Sequence, residues 1–348
     1  MILAGDVGGT KTNLGWFRAE GARLSPVIEA SVRTADYPGL EALVEPFIAR
    51  HRYPVEGACF GLAAPVIDGR SDATNLPWPV DVRALQRTLG CDAVWAINDL
   101  EATGYGIAAL PDDACAILQA GQPQPHGTLA VIAAGTSLGE ATLVWDRHGY
   151  RALPSEGGHA DFAPRTVLEW DLCRFLAEEF GHVSYARVLS GPGLVNLYRF
   201  LVATGRGEEP RWLREALDAG EPSAVIVEHA RSGRAPLCAQ ALALFVSCYG
   251  AEAGNLALRT LPRGGLYLGG GMAPKMLPQL QEGGFVRAFT EKGRLSSLLS
   301  TIPIRVILEE RAALYGAAWH GADLLHARTR GGPCAQATLV GTYRRQAR

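Results

Sequence analysis

This chain of 348 residues has little of what would direct it to a membrane, an oxidising compartment or a nucleic acid. Its start, Met1-Ile2-Leu3-Ala4-Gly5-Asp6, has no basic segment and reaches an acid by its sixth residue, so no ordinary secretory leader is expected. Glycines, prolines and charges interrupt the apolar runs before the ~18 residues that a bilayer span requires. The seven cysteines (Cys59, Cys91, Cys115, Cys173, Cys238, Cys248, Cys334) are dispersed and never form Cys-x-x-Cys. Neither a disulfide framework nor a structural zinc is expected from that pattern, and a reducing cytoplasm is the expected setting. There is no excess of either charge: 33 Lys and Arg stand against 35 Asp and Glu, a formal net charge of −2. Such a balance offers no global electrostatic reason for a nucleic-acid partner. Aromatic residues make up only 8%.

What is present is apolar material and glycine. A hydrophobic fraction of 48% with 20% charged residues supplies large cores and argues against disorder, and the length suits about two domains. The 41 glycines follow no repeating triplet, which excludes a collagen-like chain. They imply tight turns where backbone must come close to something.

Residues 1–110 alternate strand-like and helix-like stretches. Strands are expected at Met1–Ala4, near Asn13–Phe17 and Val27–Val32, at Ala58–Ala63 and at Ala93–Ile97. Helices are expected at Leu40–His51, where Leu40, Leu43, Val44, Phe47 and Ile48 share a face, and near Asp81–Leu89. That order predicts an α/β layer with mixed strand directions. Asp112–Gly127 reads as a Pro- and Asp-punctuated connection between domains. Beyond it come strands Thr128–Ala134 and Gly139–Trp145. Helices near Thr166–Phe180, Gly193–Thr204 and Ala235–Leu261, strands Gly265–Leu268 and Ile302–Ile307, and a last helix Arg311–His326 complete the pattern. The expected division is a smaller α/β domain of residues 1–110 plus 309–326, a larger one of 111–308, and a mobile basic tail of 327–348.

Four groups of residues carry candidate chemistry. Gly5-Asp6-Val7-Gly8-Gly9-Thr10 is followed by Lys11-Thr12 and an alternating, strand-like stretch. A dinucleotide fingerprint would open a helix here, and a Walker loop would close on Gly-Lys-Ser/Thr; neither pattern is met. The alternatives are a phosphate-binding hairpin, whose successive N–H groups form an anion nest with Asp6 as a partner for Mg²⁺ or its waters, and an ordinary Gly-rich hairpin. Gly135-Thr136-Ser137 is a short echo of this turn in the second half. Asn98-Asp99 follows the apolar strand at 93–97, where ligands usually bind in α/β sheets. Asp99 suits a base that takes a hydroxyl proton in phosphoryl transfer, with Asn98 on a neighbouring hydroxyl; a plain Asp N-cap is the other reading. Glu156-Gly157-Gly158-His159 brings an acceptor and an imidazole toward one small polyol, or is a Gly-rich loop with a satisfied histidine. Gly269-Gly270-Gly271 offers a flat surface to an adenine or ribose, or is a turn only.

Together these residues resemble the bacterial glucokinase family, with its hexokinase-type, actin-like ATPase fold. The resemblance covers most of residues 1–326. It includes the Gly5–Thr10 run, Thr74-Asn75 with Trp78, Ile97-Asn98-Asp99, Gly135-Thr136 with Leu138-Gly139, and Glu156-Gly157-Gly158-His159-Ala160-Asp161-Phe162-Ala163-Pro164. Its longest part is Gly181-His182-Val183-Ser184 followed by Arg187-Val188-Leu189-Ser190-Gly191-Pro192-Gly193-Leu194-Val195-Asn196-Leu197-Tyr198.

The resemblance implies a two-domain, ribonuclease H-like α/β fold with the active site in an interdomain cleft, and ATP with Mg²⁺; closure of that cleft is expected because a kinase must keep water from the γ-phosphate. Gly5, Asp6, Val7, Gly8, Gly9, Thr10, Gly135 and Thr136 fall to the phosphates and Gly270 and Gly271 to adenosine. Asp99 becomes the base on the sugar 6-hydroxyl, while Asn98, Glu156, His159 and Asn75 join the sugar-binding residues. A cytoplasmic homodimer acting on sugar and ATP, with no nucleic acid or membrane partner, is also implied.

Two departures stand out. The family usually has Glu at the position of Ala186, and a methyl accepts no hydrogen bond from a sugar. It usually has Gly-Thr-Gly where this chain has Gly135-Thr136-Ser137. ATP-dependent formation of glucose 6-phosphate is therefore the first expectation. Phosphorylation of a related or C1- or C2-modified hexose, and a low-activity sugar-binding sensor, are the alternatives.

Overall fold

A computed structural model describes residues 1–20, 23–72, 75–147 and 149–329. Thr74 and residues 330–348 of the expected tail lie outside the described residues; residues 327–329 belong to the final helix, Ala312–Thr329, and are not tail. Contacts divide the chain into two compact units. One contains Met1–Cys115, Ala141–Pro154 and the described residues from Glu309 onward; the other contains Ala116–Glu140 and Ser155–Leu308. Ala141–Pro154, expected in the larger domain, clusters with the first unit. There the Tyr105 hydroxyl accepts the Ala152 N–H at 3.2 Å, and Leu143 fills the space beside Gly104.

The first unit is built on a five-stranded sheet. Strands β1 (Ile2–Val7), β2 (Lys11–Glu20), β3 (Arg23–Arg33) and β4 (Gly57–Leu62) lie in the order β3-β2-β1-β4, with Val94–Asn98 beyond β4. The hairpins β1–β2 and β2–β3 are antiparallel, whereas β1, β4 and Val94–Asn98 run parallel. In register, Val7 sits beside Leu62 and Leu62 beside Asn98, so the three parallel strands end level at one edge. Helix α1 (Leu40–His51) covers one face with Leu40, Leu43, Val44 and Phe47, as its spacing predicts, and α2 (Val82–Leu89) is capped by the Asp81 carboxylate.

Helix α3 (Asp99–Ala109) and the final helix cross with almost no side chain between them. A Cβ on Gly316 would lie 1.7 Å from the Ala102 carbonyl oxygen, and one on Gly106 would lie 2.1 Å from that of Ala312. Close-packed backbone of this kind tolerates no added methyl without a shift of one helix.

The final helix also buries an acid and a base one turn apart. Asp323 has neither carboxylate oxygen hydrogen-bonded, and the His320 ring stacks on Tyr105 with centroids 4.2 Å apart. Burial, and to a lesser degree Asp146, pushes Asp323 up to about 7; burial alone pushes His320 down to about 4. Asp323 therefore keeps a proton that the unfolded chain loses, and stability from it falls as pH rises from about 4 to 7. His320 refuses a proton that the unfolded chain accepts, so stability from it falls as pH drops from about 6.5 to 4. The two slopes oppose each other. D323N is expected to expose the histidine slope, giving a Tm that climbs with pH across this range more steeply than wild type. Parallel Tm-versus-pH curves for the two proteins would refute this.

The second sheet orders Tyr150–Ser155, Leu138–Trp145, Leu129–Ala134, Gly265–Gly269, Ile304–Ile307 and Cys115–Gln119. Leu129–Ala134, Gly265–Gly269 and Ile304–Ile307 are parallel neighbours. The expected connection 112–127 thus contains an edge strand, and the Gln119 amide ties it down by donating to Leu299 O and Ile302 O at 2.9 and 2.8 Å. The helix Pro236–Thr260 is long and apolar enough to span a membrane, contrary to the expectation from its sequence. Its apolar faces, including Leu242, Phe245 and Tyr249, lie instead in the core of the second unit. Among the described residues all six cysteines are unpaired; Cys334 lies outside them.

Candidate active site

In the first unit the candidate residues collect at the edge where the parallel strands end. The β1–β2 tip, Gly8-Gly9-Thr10, closes through Gly8 N–H donating to Lys11 O at 3.1 Å. It is tied from behind by Thr34, whose N–H donates to Thr10 O at 3.1 Å and whose hydroxyl donates to Gly8 O at 2.7 Å. Sequence reasoning missed Thr34, which lies far from the motif along the chain. Gly9 is required by the protein itself, since a Cβ there would meet the Asn75 carbonyl at 2.4 Å. Asn75 is exposed beside this tip, and Trp78 anchors its segment by donating Nε1–H to Tyr37 O at 3.0 Å. Gly5 and Val7 are buried in the sheet, Gly5 leaving room for the Phe60 ring.

Asp6 faces Asn13 across the hairpin, accepting from Asn13 Nδ2 at 3.1 Å, and the Ser31 hydroxyl orients Asn13 at 3.0 Å. Burial pushes the Asp6 carboxyl above its ordinary range, against the hydrogen bond from Asn13 and the charge of Lys11. Among the described residues no group of three or more His, Cys, Asp or Glu is placed to hold a metal ion.

Asp99 opens α3 at the same edge. It is not the N-cap: Asn98 is, accepting Leu100 N–H at 2.8 Å while Glu101 accepts Asn98 N–H at 3.1 Å in a capping box. Asn98 Nδ2 also reaches Ala64 O at 3.4 Å. Asn98 being the cap, the half-buried Asp99 stands in the first turn of the helix, where negative charge is favoured. Gly61 of β4 seats the helix, for a Cβ there would meet Ala102 Cβ at 2.8 Å and stand 3.7 Å from Asp99 Cα. Gly61 too escaped notice in the sequence, where it reads as one more small residue in an apolar strand.

The second unit gathers the remaining candidates. The Gly135-Thr136-Ser137 turn closes through Gly135 N–H donating to Ser137 O at 2.8 Å, with Thr136 exposed. Gly270 lies against this turn, its absent Cβ making way for the Ala134 carbonyl at 2.6 Å, and its φ of 77° lies in the left-handed region. Gly135 and Gly271 differ. A Cβ on Gly271 would meet nothing within 4 Å and one on Gly135 only Ser137 O at 4.0 Å, and neither has a positive φ. Protein packing does not require glycine at either position, so their bare backbone faces open space that an approaching ligand can use. Gly157 and Gly158 are the opposite case: Cβ atoms there would lie 2.1 Å from Glu140 Oε2 and 1.9 Å from Leu138 O. They press the Glu156–His159 loop onto the start of the strand that follows Ser137.

Glu156 and His159 are exposed, with Oε2 and Nε2 3.9 Å apart. The turn Tyr185–Arg187, which carries Ala186, is joined to this loop by Tyr185 N–H donating to Ala160 O at 3.0 Å and by the bridge between Asp161 and Ser184. Ala186 is half-buried against the core, and its carbonyl accepts the Ser190 hydroxyl at 2.7 Å.

A family model described as Glucokinase matches residues 3–324. The glucokinase of Nostoc punctiforme is 41% identical over 339 residues, covering 93% of this chain and 99% of that protein. Among solved structures, a glucokinase from an Antarctic psychrotroph superposes with a TM-score of 0.78 at 29% identity, covering 91% of this chain and 97% of that one. A ROK family glucokinase from Streptomyces griseus, in complex with glucose and AMPPNP, gives a TM-score of 0.61 at 22% identity, covering 91% and 97%. The α/β, hexokinase-type fold expected from the sequence is the fold these structures share.

Proposed function

The chain belongs to the glucokinase family, and from that premise we propose that it transfers the γ-phosphoryl group of ATP to the 6-hydroxyl of glucose, with Asp99 as the general base. The observation that carries this reading is the level edge of the first sheet, where Asp99 opens α3 directly after a parallel strand that ends in register with β1, the strand that runs into the Gly8–Thr10 tip. Asp99 accepts the proton of the 6-hydroxyl as its oxygen attacks the γ-phosphorus; the bond to the β-phosphate oxygen breaks, and ADP and glucose 6-phosphate result. Asn98, Glu156 and His159 are assigned to the other sugar hydroxyls, with Asn75 as a further contact. The N–H groups of Gly8, Gly9 and Thr10, and those of Gly135 and Thr136, are assigned to the phosphates, and Gly270-Gly271 to adenosine.

The open backbone at Gly135 and Gly271 fits a nucleotide. Glucose and AMPPNP in the Streptomyces griseus structure support the same pair of substrates. Mg²⁺ bound with the nucleotide would neutralise phosphate charge, and Asp6 is the acid assigned to its water shell. The comparisons give no support to the modified-hexose or sensor alternatives. A cytoplasmic homodimer belongs to the same proposal.

Purified protein with Mg-ATP and glucose is expected to release one ADP per glucose 6-phosphate formed. No turnover with glucose at tens of millimolar would overturn the reading. A finer check falls on Gly271. Because a methyl there meets no protein atom, G271A is expected to melt with wild type while its KM for ATP rises several-fold. An unchanged KM for ATP would remove Gly271 from the nucleotide site.

A further inference from the structure

Beneath the Glu156–His159 loop lies a cluster of charges that takes no part in the reaction just described. Glu140 and Glu252 are 2% and 0% exposed, and one guanidinium serves both: Arg259 Nη2 is 2.5 Å from Glu252 Oε1 and 3.4 Å from Glu140 Oε2. The other Glu140 oxygen has no hydrogen-bond partner. Two buried carboxylates sharing one cation are not both comfortably ionised, and a proton held between them removes the repulsion. Burial, followed by the charge of Glu252, pushes Glu140 up to about 8 against the pull of Arg259.

The cluster touches both segments that frame the assigned sugar site. Glu140 Oε2 occupies the space where a side chain of Gly157 would be. Asn255 Nδ2 donates to Glu252 Oε2 at 2.8 Å and to the Tyr185 hydroxyl at 2.9 Å, next to Ala186. Lys292 closes the far side, donating to Asn255 Oδ1 at 2.5 Å and Ala251 O at 3.0 Å. The other titratable neighbours are Tyr249, whose hydroxyl donates to Ile132 O at 3.1 Å, and the pair formed by Arg165, just before helix Val167–Phe180, and Glu169 in its first turn, both of which act on Lys292. Burial disfavours the charged form of Tyr185, Tyr249 and Lys292 alike.

Resting on the assignment of Glu156 and His159 to sugar, we infer that Glu140 and Glu252 are positioning residues whose shared proton holds the sugar loop at binding height. When that proton leaves, a second buried negative charge appears below Gly157. The carboxylates then separate, and Gly157 has no slack to absorb the movement. Glucose binding is thereby linked to the protonated pair.

Linkage sets the size of the effect. If glucose binds only the protonated pair, KM for glucose rises roughly tenfold from pH 7 to pH 9 while KM for ATP stays level. E140Q keeps the shape and the neutral charge of the protonated acid, and its amide can donate to Glu252. It is expected to hold the neutral-pH KM for glucose and to abolish the alkaline rise. E252Q neutralises the pair from the helix side, is expected to flatten the same rise, and serves should E140Q fold poorly. A wild-type KM that is level to pH 9, or a rise that persists in both variants, overturns the inference. E156Q separates this from the underlying assignment. A higher KM for glucose in E156Q with a persistent rise in E140Q overturns the positioning role alone. An unchanged KM in E156Q overturns the sugar assignment and the inference with it.

Discussion

D99N is expected to lower kcat for glucose by about a thousandfold, within the range that general-base removal usually costs. The substitution is nearly isosteric, and the helix it opens is capped by Asn98, whose own bonds to Leu100 and Glu101 do not involve the changed group. Loss of one negative charge from the first turn costs roughly 0.3–1 kcal/mol of helix stability, too little to unfold the unit. An asparagine side chain still accepts and donates hydrogen bonds, so glucose affinity measured by calorimetry should stay within a few-fold of wild type. The combination is diagnostic: chemistry lost, binding kept. A kcat within tenfold of wild type would remove Asp99 from the role of base, and a collapse of binding with kcat intact would make it a sugar ligand only.

A186E is expected to act in the other direction. The family's usual glutamate would supply a charged acceptor, and restoring one is worth on the order of 2–3 kcal/mol, about 30- to 150-fold in affinity. Ala186 is only half-buried on a short turn beside the Glu156–His159 loop, so a longer side chain can leave the core without displacing Tyr185. The expected signature is a fall in KM for glucose by that factor with kcat little changed. An unchanged KM would mean that position 186 does not reach the sugar.

Much of this site is legible in the sequence because its parts are short and local. The hairpin shows in a Gly-rich run followed by strand alternation, and Asn98-Asp99 in two polar residues after an apolar strand. What escapes is whatever depends on partners distant along the chain. Asn and Asp are both good N-caps, so which of the two caps α3 is decided only by the bonds to Leu100 and Glu101. Thr34 reads as an ordinary residue after a strand until it is found clasping the Gly8–Thr10 tip. Strand Cys115–Gln119 hides between prolines and acids, and is held in place by carbonyls near residue 300. Glu140 and Glu252 lie more than a hundred residues apart, and only the fold brings them to one guanidinium, that of Arg259, as a buried pair. Ala186 is legible only as a departure from a family pattern, and its half-exposed turn only in three dimensions.

The bare crossing of α3 with Ala312–Thr329 bears on how the enzyme is made. On the ribosome, the strands of the first sheet and α3 emerge long before Gly316 does, so the nascent chain carries the Ala102 and Gly106 surface uncovered until the last helix follows. Contacts so far apart in sequence form slowly. The helix that opens with Asp99 gains its final seat only when the last helix docks, so the proposed base is translated long before the segment that completes its setting.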